Sequence, residues 1–271
     1  MNKLEAFGYI AAQAARGDIS FPTSVNAVLR LQLALDDPDC HVDEAIRLVL
    51  SEPQLAARTV ALANTAAYGS GGVQVTNVRA AVLRIGYRRL RGLVAALMVR
   101  QFGHRIADPV LRAKAGQLWT HSAQVAAMAQ ALARHLTHTD PDTALFAGIV
   151  HEVGGFYLLS RADEFPGLLE DDAENWGALV EDVVSLEVMR KLAIPPDVAQ
   201  AIGALRDGVL NPEPHTLLDT LLLANRYAPV ASPLAASDGV PDDGPLDAAT
   251  LRVVRAEAAE TAEALGDAVL V

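Results

Sequence analysis

Cysteine is almost missing from this chain. Cys40 stands alone among 271 residues, so no internal disulfide forms, and the thiol content fits a reducing compartment. Aromatic residues make up 5% against 51% for all hydrophobic types, so the core has to be built from Ala, Leu and Val, the profile of a helical protein. No apolar run approaches the roughly 18 to 20 residues that a membrane span needs; Leu93 to Val99 is representative. Glu5 falls where a secretory signal would carry its apolar stretch, and a cytoplasmic protein without membrane contact is expected. Also missing are a Gly-x-Ser-x-Gly elbow, a Gly-x-x-x-x-Gly-Lys phosphate loop and a Gly-x-Gly-x-x-Gly turn after a strand, which removes three large enzyme classes.

Positive charge is scarce too. The formal net charge is −11, and a protein of that sign does not attract nucleic acid through its overall field. The charge is unevenly placed, however: nine basic residues against one acid between Arg79 and Lys114, then nine acids and no base between Asp163 and Glu187. Such runs form solvated or mutually paired faces, or a contact surface for an anion or a protein partner. Arg84, Arg88, Arg89 and Arg91 are the candidate contact residues. Three of them recur at helical spacing across Gly86, as in a helix-turn-helix DNA reader, but the net charge argues against that reading.

Along the chain the apolar period is close to 3.6 and not 2, which predicts an all-α fold. Helices are expected at Leu4 to Arg16, from Thr23 or Ser24 to Leu35, after Asp43, and from Pro53 through Ala63. The three glycines in Gly69 to Gly72 predict a turn. Thr76 is the expected cap of Val78 to Ile85, with Gly86 ending that helix and a second one carrying Leu90 to Met98. A longer helix follows from Pro109, then others after Asp140-Pro141, around Leu179 to Met189, after Pro195-Pro196, and over Leu217 to Tyr227. Pro229 to Pro245 reads as a loop or linker and Leu246 to Leu265 as a terminal helix with an acidic face. The expected division is an N-terminal helix (1–17), two helical halves (18–108 and 109–210) and a C-terminal extension (211–271).

One stretch looks like a site. Leu145 to Phe156 is a strongly apolar helix interrupted by the adjacent pair His151-Glu152. Imidazole nitrogen and carboxylate oxygen both suit a divalent transition metal. His121, three residues after Leu118 and four before Val125, falls on an inward stripe and is the candidate third ligand. The competing reading is two core histidines hydrogen-bonded within the fold, with Glu152 raising the pKa of one of them. His104, His135 and His138 fall near helix ends and are not expected to be ligands, and Cys40-His41 alone is too small a set for zinc.

Several segments together resemble the HDOD family, a bacterial signalling domain related to metal-dependent HD phosphohydrolases. They are Phe21-Pro22, Asp37-Pro38, Glu52-Pro53 to Arg58, Leu62-Ala-Asn64 to Tyr68-Gly69, Ile85-Gly86 to Arg91, Trp119-Thr-His121-Ser122, Phe146 to Gly154 and Ile194-Pro195. The resemblance spans roughly residues 18 to 206. In the catalytic relatives a lone histidine, a His-Asp pair and a later aspartate hold one or two metals that activate water against a phosphate ester. His121 and His151 match the histidines, and Glu152 replaces the aspartate. Gly155 stands where a lysine often follows, Glu181 and Ser185 where a His and a Gly are usual, and Leu205-Arg206 where a His-His pair is common. No histidine occurs between His151 and His215, and the Gly-Tyr-Pro signature of cyclic-di-GMP enzymes is absent. The resemblance therefore implies an all-α fold with a degenerate HD-like half and a regulatory role without catalysis, through a protein partner or a cyclic dinucleotide. No cofactor is expected on that reading. A divalent metal on His121, His151 and Glu152, with an acid from the 163–187 run, belongs to the phosphohydrolase alternative, and a scaffold presenting surfaces to other signalling domains is a third reading.

Overall fold

The computed structural model describes residues 3–19, 23–65, 74–103, 106–165, 180–234 and 246–270. Among these residues every regular element is helical. In chain order they are α1 (Lys3–Ala15), α2 (Thr23–Asp36), α3 (Val42–Leu50), α4 (Pro53–Ala63), α5 (Val78–Gly103), α6 (Pro109–Leu132), α7 (Pro141–Val150), α8 (Val153–Arg161), α9 (Val180–Lys191), α10 (Pro196–Gly203), α11 (Leu217–Tyr227) and α12 (Ala248–Leu270). A π-helical turn, Ala133–Thr137, ends α6. The expected glycine turn at 69–72 and the linker at 235–245 lie outside the described residues.

Both helices that lead to the histidines start by the same device. In α6, Asp108 Oδ1 accepts from the backbone N–H of Val110 (2.7 Å) and Leu111 (3.0 Å), with Pro109 in the first turn. In α7, Asp140 Oδ1 accepts from Thr143 N–H at 2.8 Å, behind Pro141. An acidic cap followed by proline satisfies the free N–H groups and presets φ. The cap of α5 differs from the expectation: Asn77 Oδ1, not Thr76, accepts from Ala80 N–H at 2.9 Å. Gly86, with φ 75° and ψ 165°, leaves helical geometry where one helix was expected to end and the next to begin, so α5 is two helical segments joined across a kink. Asp43 does not cap α3, whose N-cap is His41 without a side-chain bond; instead Asp43 pairs with Arg79.

The core is one continuous cluster that runs across the expected 108/109 boundary and draws on both helical halves. α6 is the central rod, packed on α7, α11 and α12, while α5 packs against α2, α4 and α7. Small residues set the spacing. A Cβ on Gly148 of α7 would lie 2.4 Å from Ala126 Cα and 2.7 Å from Ala126 N, so the two helices meet where only hydrogen fits. In α9 the buried residues are Val184, Val188 and Met189, whereas Val183 and Leu186 are exposed. The terminal helix is longer than expected and buries Val254, Ala258 and Leu265 against its own chain, with Glu257 bonded to Arg134 and to His135 Nε2 (2.7 Å). Among the described residues one stretch, Pro141–Arg161, is long and apolar enough to cross a membrane, and 83% of it is buried within the fold.

Gly148→Ala is expected to cost about 3 kcal/mol, because the added methyl meets backbone and not a side chain that can turn away. A urea titration checks this. Ala126→Gly should not rescue the variant, since the Ala126 atoms in the way are Cα and N.

Candidate functional site

α7 stops at Val150, and His151 and Glu152 form the turn before α8. The backbone leaves helical geometry at Glu152 (φ −102°, ψ 18°), and α8 starts at the next residue. His121, in the middle of α6, is 1% exposed and His151 8%. Their ring centroids are 5.2 Å apart, and one ligand atom each from His121, His151 and Glu152 lie within 4.8 Å of one another. The three residues singled out from the sequence thus meet in space.

The protonation pattern follows from the partners. His151 Nδ1 is 2.7 Å from the Gly148 carbonyl, and His121 Nδ1 is 2.8 Å from the Val230 carbonyl. A carbonyl only accepts, so both Nδ1 atoms carry the proton and, in the neutral rings, both Nε2 atoms carry lone pairs. Those two lone pairs face each other at 3.3 Å. A positive charge between them, either a shared proton or a metal ion, would turn that contact from repulsive to attractive. Two imidazole nitrogens on one tetrahedral dication, each about 2.0 to 2.1 Å from it, stand about 3.3 to 3.4 Å apart, so the donor set fits such an ion. Burial pushes the His151 pKa down to about 4, with the nearby Glu152 carboxylate opposing the shift and His121 adding to it. Glu152 thus raises the pKa of one of the histidines as expected, but desolvation outweighs it in the net shift of His151.

The C-terminal segment completes the site. Val230 accepts from His121 and also donates its N–H to Gln124 Oε1 at 2.9 Å, so residues 229–234 strap onto α6 and are not a free linker. A Cβ on Gly155 would lie 2.4 Å from Leu234 Cδ1, 3.3 Å from Glu152 Oε2 and 3.5 Å from Leu118 Cδ2. Glycine at 155 lets Leu234 close over the turn beside Glu152. Val230 escaped the sequence reading because a backbone carbonyl has no sequence signature, while Gln124, three residues after His121 on the same face, was a weak signal.

The predicted arginines do not join this centre. Arg88 pairs with Asp140 (2.7 Å), Arg89 with Asp142 (3.8 Å) and Arg91 with Asp36, and Arg84 donates to the Ala63 carbonyl (3.3 Å). Arg91 also lies over the Phe146 ring at 4.9 Å. A cavity of about 370 Å³ beside Arg88 and Arg91 is thus lined by carboxylates as well as cations. Of the acidic run, Glu164 pairs with Arg161 and Glu187 with Arg190, and residues 166–179 lie outside the described residues.

The HDOD domain profile matches residues 21–187, well over half of the chain. The chain belongs to the HDOD family. Among solved structures it is similar to a "Putative metal-dependent phosphohydrolase" from Shewanella amazonensis SB2B, at 20% identity over 96% of this chain and 99% of that one, TM-score 0.69. It is similar to an "HDOD domain protein with unknown function" from Geobacter sulfurreducens, at 21% identity over 97% and 94%, TM-score 0.62. A "Putative signal transduction protein" from Marinobacter aquaeolei VT8 matches at 19% identity over 92% of this chain and 60% of that one, TM-score 0.57. At these identities the likeness establishes the fold. A comparison with curated proteins finds no match.

Because the His151 pKa lies near 4 in the fold against 6.5 when solvated, the unfolded chain takes up this proton first as the pH falls. Metal-free protein should therefore lose stability from about pH 6.5 down towards pH 4, on the order of 3 kcal/mol from this group. The urea midpoint measured at pH 7 and pH 4.5 should drop more for wild type than for His151→Asn. Equal drops would count against a neutral His151.

Proposed function

We propose that this chain is a signal-transduction module that acts by binding a protein partner or a signalling nucleotide without turnover, and that its His121, His151 and Glu152 centre serves structure. The observation that carries this reading is the closure of the centre by its own chain. The Val230 carbonyl grips His121 from behind, and Leu234 is seated on Gly155 beside Glu152. A phosphate ester needs an open approach and a water held against it. Among the described residues no further carboxylate joins the three ligand groups. The signalling name of the Marinobacter relative agrees with the reading.

A second reading has one observation in its favour, the pair of lone pairs at 3.3 Å. They suit a divalent transition metal held by His121 Nε2, His151 Nε2 and the Glu152 carboxylate, which when bound supplies Lewis acidity toward a phosphoryl oxygen. What the chain itself contributes is orientation and dryness. The Gly148 and Val230 carbonyls lock both tautomers, and Leu118 and Leu234 flank the turn with hydrocarbon.

Two measurements on protein purified without an affinity tag decide between the readings. Elemental analysis of wild type and His151→Ala reports whether a metal depends on the centre. Incubation with bis(p-nitrophenyl) phosphate and Mn²⁺ reports turnover, and none above the His151→Ala background is expected. Hydrolysis that disappears in His151→Ala would overturn the binding-module reading in favour of the hydrolase.

A further inference from the structure

The basic segment between Arg79 and Lys114 is mostly consumed inside the fold, and the exceptions mark a second site. Arg79, Arg88, Arg89 and Arg91 all pair with carboxylates. Arg100 and Arg112 pair with none among the described residues. Both line a cavity of about 500 Å³ between the end of α5, the first half of α6 and α8. That size is ordinary for a small-molecule site.

The two cations are held ready in different ways. Arg112 donates from Nε to the Ile106 carbonyl (3.0 Å) and from Nη2 to the Ala107 carbonyl (2.9 Å), which fixes the guanidinium by neutral acceptors and no carboxylate. Arg100 lies over the Trp119 indole at 5.6 Å. Burial lowers its pKa, and Arg58 nearby, itself buried, is pushed down by burial and by the Arg100 charge, so the local field is positive. The rest of the wall is flat and apolar. Trp119 and Phe156 are buried side chains, and Gly116 leaves the floor open, since a Cβ there would meet nothing within 4 Å.

Two forked cations, Arg100 half-buried and Arg112 exposed at the mouth, set against aromatic and small apolar walls, match one ligand chemistry. A carboxylate occupies one guanidinium, whereas a phosphate with two negative charges satisfies two. We propose that this cavity binds a nucleoside phosphate, with the phosphate on Arg100 and Arg112 and the base over the open Gly116 floor, beside the exposed edges of Trp119 and Phe156. This deepens the binding-module reading, on which it rests, by naming the ligand class and placing it outside the histidine centre.

The test uses the full chain carrying Trp176→Phe, so that Trp119 is its sole tryptophan. AMP and GMP are titrated while indole fluorescence is followed, with adenosine and inorganic phosphate as separate probes. A saturable change with at least one nucleotide is expected, weakened about tenfold or more by Arg112→Gln, which removes a charge-assisted contact. Gly116→Leu should weaken it as much by filling the floor, at a position where a side chain meets no obstacle. Adenosine should give little change, and inorganic phosphate should bind more weakly than the nucleotides. No saturation with either nucleotide, or saturation unchanged by Gly116→Leu, would overturn the site. The nucleotides are then recovered by chromatography. Recovery intact supports both proposals, whereas consumption in a sample whose binding still depends on Gly116 would sink the no-turnover reading and leave the cavity standing.

Discussion

The contact on which the centre depends is the approach of α7 to α6 at Gly148 and Ala126, where the room left is smaller than a methyl group. Gly148 is three residues before His151, and its carbonyl accepts a hydrogen bond from His151 Nδ1–H. The same residue therefore sets the helix spacing and orients the ring. Ala126 lies five residues after His121, so the point of closest approach falls within about one turn and a half of both histidines. Had either position carried a larger side chain, the helices would part and the 3.3 Å contact between the Nε2 atoms would open. The Ala-rich composition serves this geometry, since Ala and Gly are the residues that let helix backbones come close.

Once the rings are that close, electrostatics rather than packing governs the centre. Two neutral imidazoles with facing lone pairs repel, and burial removes the water that would otherwise separate them. Glu152 draws positive charge toward the site, while the apolar surroundings resist it, and for His151 the surroundings prevail. The balance keeps His151 neutral near neutral pH, the form in which an imidazole binds a metal. Bringing residues 229–234 onto His121 adds a geometric lock: the ring cannot flip without breaking its bond to Val230. Upstream of that strap, α11 begins with a capping box in which Thr216 and Asp219 bond reciprocally. Asp219 is fully buried; burial alone would raise its pKa, but hydrogen bonds from Thr216 and Asn211 outweigh this and hold it well below the usual carboxylate range. That fixed carboxylate ties the loop before α11 to the helix that delivers the strap.

Much of this was legible in the residues. The 3.6 period yields the helices, and α11 begins and ends where Leu217 and Tyr227 suggested. His121 could be placed facing inward because Leu118 and Val125 bracket it on one stripe. The adjacent His151-Glu152 pair stood out as polar in an apolar run that reads as one helix, and the structure divides the helix there into α7 and α8. What could not be read depends on contacts distant in sequence. The strap carries Pro and Ser and reads as a linker, since its hold on His121 and Gln124 runs through its backbone. The arginines of α5 read as a surface because their partners Asp36, Asp140 and Asp142 lie up to some fifty residues away in sequence.

α6 also explains how two sites share one small fold. Arg112, Gly116 and Trp119 recur at steps of four and three, so they share one face of the helix. His121 and Gln124 share another, two residues being a turn of about 200° beyond Trp119. α8 repeats the arrangement on a shorter scale: Gly155 meets Leu234 and the Glu152 carboxylate, and the next residue, Phe156, lines the cavity. The histidine centre and the cationic cavity are thus back to back across the same two helices. A molecule that shifts Trp119 or Phe156 presses on the elements that hold His121 and the 151–152 turn, and through Leu234 and Val230 on the strap. In a core packed to crystal-like density such a displacement is transmitted and not absorbed. On the proposed reading, a ligand bound in the cavity would therefore bear on the histidine centre from its far side.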